Sequence, residues 1–277
     1  MAVKHYVVAS DFDQTLSFND SGQIVSDLLG VSNFRGKVAG LAASNLVQQG
    51  GELAYLIRHD PEYRGVRREH LAEAGRCVRL RSDIPALIEF FNRGLDGFQF
   101  SFFVISAAPQ EVIQAALAGM LEPDRIIGTE FEYDPESGEV QSIRRVPAGY
   151  GKVAAVEELE ARLGTPPEKT IYVGDGSSDV HVMLHVNNRD GFTIAVSENR
   201  LLARIAHSTV LSDNAFSVLI PILERIVGWR SAEIRDFFES YALRLHEWEK
   251  ARTDRVTIVG SSMIPASAAP KEARQHG

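Results

Sequence analysis

Short β-rich apolar runs recur along this chain between segments whose apolar residues fall at helical spacing, the pattern of βα units and a mostly parallel sheet covered on both faces. The runs predict strands over residues 6–10, 100–105, 126–129, 170–173 and 192–196, with helices at 85–93, 111–120 and 152–163. From 18 to 80 no convincing strand occurs, but helical patterns do, among them 34–49 and 66–77. That stretch is predicted to be a helical insertion directly after the first strand, over the carboxyl edge of the sheet. The run EFEYDPESGEVQSIRR alternates with period two around a Pro and a Ser-Gly pair, which predicts a hairpin forming a small flap outside the core.

The fold expected is therefore α/β: a doubly wound parallel-sheet, Rossmann-like core with a helical cap insertion and a β-hairpin flap. Its divisions are a discontinuous catalytic core (1–17 and 81–228), a cap (18–80), C-terminal helices (229–252) and a flexible tail (253–277) rich in Ser, Ala and Pro. Trp229, Phe237, Phe238, Tyr241 and Trp248 form an aromatic set read as packing or a subunit contact.

Composition narrows the possible partners. At 277 residues and 44% hydrophobic the chain can bury a sizeable core, and its net charge of −8 disfavours nucleic acid and anionic membranes, which need a positive field. An acidic protein that handles phosphate needs a local cation. The single Cys77 excludes an intrachain disulfide, and no apolar run is long enough for a secretory leader or a membrane span, so a cytoplasmic location is expected.

Chemistry enters with Asp11 and Asp13 in VVASDFDQTLS. Alternate residues of a strand share a face, so both carboxylates leave the strand end side by side. One such carboxylate can attack phosphorus while a neighbour kept protonated by its environment hands a proton to the leaving oxygen. Taken alone the pair is equally an Asx-rich turn. Ser106 ends the next long strand in VISAAP, where its hydroxyl can meet a phosphoryl oxygen or cap the following helix. Lys152 in YGKV opens a helix, a position the dipole disfavours for a cation. A nucleotide-binding P-loop is excluded, because Val146 and Val153 stand where it needs Gly and Ser or Thr. YVGDGSSD places Asp175 and Asp179 in a tight turn, a density of oxygen ligands that selects a hard divalent cation. An EF-hand is excluded by Val180 and Val186.

Together DFDQT, VISAAP, YGKV and YVGDGSSD resemble, in order and placement, the four motifs of the haloacid dehalogenase-like superfamily. The helical insertion between the first two motifs is similar to the cap of its phosphoserine-phosphatase-like branch. The resemblance implies that Asp11 is a nucleophile forming an aspartyl-phosphate and Asp13 the general acid and then base. It implies that Ser106 and Lys152 bind phosphoryl oxygens, with Thr15 supporting the phosphate-binding loop or the acid. Mg²⁺ would be held by the carboxylates of Asp11 and Asp175 and the backbone carbonyl of Asp13, with Asp179 acting behind them. Asp20 stands near the cap-hinge position that reads a substrate amine in that branch. Gln14, at a position that is often Gly or a small residue, and Ala107-Ala108 in place of Gly-Gly depart from the phosphoserine enzymes.

The activity this implies is Mg²⁺-dependent hydrolysis of a small-molecule phosphomonoester. A phosphomutase or phosphotransferase would use the same residues, and a phospho-accepting signalling module is a third reading. Six arginines, Arg64, Arg67, Arg68, Arg76, Arg79 and Arg81, form either a solvated face or a source of one residue that reads a second anion. His181 and His185, four apart, read as helix-face packing or surface and not as a zinc pair.

Overall fold

The computed structural model describes residues 3–245 and 248. Seven strands form one sheet: β1 (Lys4–Ser10), β2 (Phe98–Pro109), β3 (Ile126–Tyr133), β4 (Val140–Arg145), β5 (Thr170–Gly174), β6 (Phe192–Ala195) and β7 (Ser208–Thr209). Their order is β4-β3-β2-β1-β5-β6-β7, and every pairing is parallel except β3 with β4. This is the α/β core the apolar runs predict. Val7, Val8 and Ala9 are all buried, because the centre of a parallel sheet is covered on both faces and its strands read as continuous apolar runs.

The helices among the described residues include α1 (Ser21–Leu28), α2 (Phe34–Ser44), α3 (Glu52–His59), α4 (Arg68–Arg76), α5 (Ile84–Arg93), α6 (Gln110–Ala116), α7 (Tyr150–Leu163) and α8 (Val180–Asn187). One face packs Val7, Ala9, Phe103 and Tyr172 against Val156, Leu159, Val182 and Met183 of α7 and α8. On the other face Phe90 and Phe91 of α5 meet Phe100 at ring separations of 5.8 and 5.6 Å.

The insertion is all helical. Helix α2 stops earlier than its pattern suggests, because Asn45 takes a left-handed conformation (φ 52°) that ends the helix. Val25, Phe34, Leu53, Leu56, Tyr63 and Leu71 bury one another in a cluster that also takes in Val112 and Phe131. Two antiparallel connectors join the insertion to the core, where Phe18 N–H donates to Arg79 carbonyl oxygen and Arg81 N–H to Leu16 carbonyl oxygen.

The hairpin differs from its expected role as a flap apart from the core. Its first arm continues β3 and its second, β4, closes the sheet edge. Phe131, Tyr133, Val140 and Ile143 pack with the insertion's apolar cluster, so the alternation that signalled a hairpin has a buried face to satisfy. Val140 N–H also donates to Val66 carbonyl oxygen. The two-residue strand β7 carries no signal in the sequence, because so short a run has no period.

Among the described residues, those up to 234 form one compact unit and those from 235 onward a second. A helix runs over Ser231–Ser240. Within the second unit Phe237 and Tyr241 lie 5.1 Å apart, ring to ring, and Arg235 stacks on Trp248. The predicted tail, 253–277, lies outside the described residues. Among the described residues no helix is long and apolar enough to cross a membrane.

Candidate active site

Strand order decides where the site lies. β1 sits between β2 and β5, so the chain leaves the sheet centre in opposite directions and the carboxyl ends of these three strands open a crevice. Asp11 follows β1, Ser106 lies near the end of β2 and Asp175 follows β5. Lys152 reaches in from the first turn of α7.

Lys152 is completely buried, and its ammonium lies 3.0 Å from Asp11 Oδ2 and 2.6 Å from Asp179 Oδ1. Burial pulls its pKa down, but Asp11 and Asp179 outweigh that, and the group is held charged well above the ordinary lysine range. The helix dipole opposes a cation there; two carboxylates explain why it is tolerated.

Asp179 anchors the loop. Its Oδ1 accepts from Lys152 and from the buried Tyr172 hydroxyl at 2.7 Å, and its Oδ2 accepts from the N–H groups of Asp175 and Gly176. Gly174 makes room for it, since a Cβ there would come within 2.5 Å of Asp179 Cγ.

Asp11 and Asp175 are less well satisfied. Burial, only partly countered by Lys152, raises Asp11 to about 6; burial, together with the charges of Asp11 and Asp179, raises Asp175 to about 8. Carboxylate oxygens of Asp11, Asp175 and Asp179 all lie within 4.8 Å of one another, and among the described residues Lys152 is the one cation paired with them. A cluster of hard oxygen donors short of positive charge fits a divalent cation. Because Asp179 spends both oxygens on four donors, Asp11 and Asp175 are the side chains open to it.

Asp13 points elsewhere. Its Oδ1 accepts from Ser21 Oγ at 2.6 Å and from Ser21 N–H at 3.1 Å. Burial, reinforced by the neighbouring charge of Asp20, pushes its pKa well above the usual carboxylate range. One aspartate of the pair thus lies beside an ammonium while the pKa of the other is pushed up, so their environments set the two carboxyls apart.

Thr15 donates to Asp175 Oδ1 at 3.3 Å, which ties the first loop to the acidic loop. Ser106 is buried and its Oγ accepts from Ala108 N–H at 3.3 Å. Gln14 takes φ 57°, the left-handed region where Gly is at ease. Asp20 caps α1 by accepting from Gln23 N–H.

A cavity of about 560 Å³ opens above these groups, lined on the sheet side by Asp11, Asp13, Ser106, Lys152 and Asp175. Its opposite wall comes from the insertion and includes Asp20, Phe34, Arg35, Val38, Glu52 and Leu53. None of the six clustered arginines lines it. Arg76 pairs with Glu73, Arg67 with Glu139, and Arg79 and Arg81 stack on Phe18. His181 stacks on Tyr150 and His185 lies beside Arg189 and Glu157, so the histidines serve a helix surface.

A family model described as haloacid dehalogenase-like hydrolase matches residues 8–184. The chain belongs to that family. No curated protein matches it in sequence. Solved structures share the fold: a substrate-bound phosphoserine phosphatase complex (18% identity, 80% of this chain and 98% of that one, TM-score 0.60) and a family hydrolase from Salmonella enterica serovar Typhi (16%, 81% and 73%, 0.64). A phosphoserine phosphohydrolase-like protein from Francisella tularensis matches similarly (16%, 79% and 100%, 0.58). As a member of this family the chain is a hydrolase with an α/β core, and the four loops just described lie within or beside the matched residues.

Ser21 and Tyr172 play parts that the sequence did not announce. Ser21 is legible only in part, because NDSGQ reads as a helix cap and not as the partner of an acid.

Proposed function

We propose that this hydrolase is a cytoplasmic, Mg²⁺-dependent phosphatase acting on a small phosphomonoester through an aspartyl-phosphate. The observation that carries the proposal is the pairing of Asp11, 3.0 Å from a buried ammonium, with a neighbouring Asp13 whose pKa burial and the charge of Asp20 push well above the usual carboxylate range. Insertion 18–80 acts as the cap, and Asp11, Asp13 and Asp175 supply the metal ligands, the second of these through its backbone carbonyl.

Ser106 and Lys152 hold the phosphoryl oxygens and orient phosphorus toward Asp11. An Asp11 oxygen attacks phosphorus, the bond to the ester oxygen breaks, and Asp13 gives that oxygen its proton. Asp13, now a carboxylate, takes a proton from water as the water attacks phosphorus and the bond to Asp11 breaks. Bound Mg²⁺ would neutralise charge on the transferring group and on Asp11. The cap wall excludes bulk water during the first step.

Phosphate release from a panel of small phosphomonoesters, with Mg²⁺ or with chelator, tests this reading. Metal-dependent turnover of particular esters is expected; release from none by folded, metal-loaded protein would overturn it, and label retained in an isomerised product would favour the mutase.

The acidic cluster also predicts a pH dependence of stability. Asp175 titrates near 8 in the folded chain and at about 3.9 unfolded. Between those values the folded state binds the extra proton, so stability present at low pH is lost as pH rises through 8. Metal-free protein should lose about 2 kcal/mol between pH 6 and 8, roughly 5 °C in melting temperature. Saturating Mg²⁺ should abolish the slope and release protons on binding. Melting curves at both pH values check this; a metal-free protein equally stable at pH 6 and 8 would contradict it.

A further inference from the structure

Asp13 has two carboxyl oxygens, and the proposed first step needs its proton on the one that meets the leaving group. Ser21 donates to Oδ1 twice, from its hydroxyl at 2.6 Å and from its N–H at 3.1 Å, and no described residue hydrogen-bonds Oδ2. Burial sets the direction of the hydroxyl bond. Ser21 is completely buried and its hydroxyl meets no other acceptor among the described residues, so taking a proton from Asp13 would leave the hydroxyl's own hydrogen buried and unbonded. The N–H can only donate. Oδ1 is therefore the acceptor oxygen of the acid.

Ser21 opens α1, whose first-turn N–H groups lack partners within the helix, so a carboxyl of the core is oriented by a residue of the insertion. Asp13 itself lines the cavity, as do Asp11, Ser106 and Lys152. Resting on the phosphatase reading, we propose that Ser21 is a positioning residue that keeps Asp13 Oδ1 an acceptor and so places the acid's proton on Oδ2, where the leaving oxygen collects it. As an Asp11 oxygen bonds phosphorus and the ester bond breaks, the Oδ2–H bond breaks and its proton passes to the ester oxygen. Both Ser21 donors stay on Oδ1, where they then face a carboxylate, which they bind more strongly than the acid.

Two esters of similar shape isolate the proton transfer: ethyl phosphate, whose alkoxide needs a proton to leave, and trifluoroethyl phosphate, whose alkoxide is a far weaker base. Their kcat/KM values, with Mg²⁺ present, report only the steps up to the aspartyl-phosphate. Ser21→Ala removes the hydroxyl and leaves the N–H, so it should cost roughly tenfold on ethyl phosphate and stay within about twofold of wild type on the fluorinated ester. An equal loss on both esters, or no loss on either, would overturn the proposal. Melting curves of metal-free protein need no turnover: Ser21→Ala should lower the midpoint by roughly 3 °C in wild type and not at all in Asp13→Ala, where the hydroxyl has lost its acceptor. If wild type hydrolyses neither ester, the phosphatase reading fails on them, and that coupling still supports the hold of Ser21 on Asp13, while additive losses remove it.

Discussion

Asp11→Asn should lower phosphate release by about 10⁴-fold or more while leaving the protein folded. The amide keeps the shape of the side chain, and its oxygen can still accept from Phe12 N–H, the bond made now at 2.8 Å. Lys152 keeps its 2.6 Å contact with Asp179, so no buried cation is stranded. Removing the charge of Asp11 also removes part of what raises Asp175. Stability should therefore hold or rise, and the lost activity reports chemistry and not unfolding. Acid-quenched protein incubated with labelled ester should carry phosphate in wild type and none in the variant. Turnover by Asp11→Asn within tenfold of wild type would eliminate Asp11 as nucleophile.

The parts of this site that sequence exposes are those at strand ends. A fully buried strand appears as a short apolar run, and the polar residue that ends it marks the edge where a parallel sheet builds sites, which is how Asp11, Ser106 and Asp175 become visible. Lys152 stands out because it breaks a local rule, a cation in the first turn of a helix. Conflicts between local preference and global structure gather at functional positions.

What stayed hidden depends on tertiary contact. Nothing in YVGDGSSD says that Tyr172, one strand residue among several, turns its hydroxyl to Asp179, or that Thr15 would reach Asp175 from 160 residues away. The arginine cluster reads as a solvated face or as a source of one residue that meets a second anion, and none of its members lines the cavity, which Arg35 of α2 lines instead. The hairpin was legible as a hairpin, but its partner was not, since period two says which residues share a face and not what that face meets.

Lys152→Met should cost both activity and stability, and pH separates the causes. Met fills similar volume, so the main change is the loss of an ammonium from between Asp11 and Asp179. Removing one partner of a buried ionic network costs about 3–5 kcal/mol because charge is left uncompensated, which for a chain of this size lowers the melting temperature by roughly 10 °C at pH 8. The stranded group can escape by taking a proton. Without its cation Asp11 should titrate higher than its present value near 6, so the folded variant binds a proton that the unfolded chain releases. Its stability must then rise as pH falls, and the deficit against wild type should shrink between pH 8 and 5. A deficit constant across that range would mean that Lys152 contributes by packing alone. In that case the ammonium would not be the counter-charge that steadies Asp11 for attack.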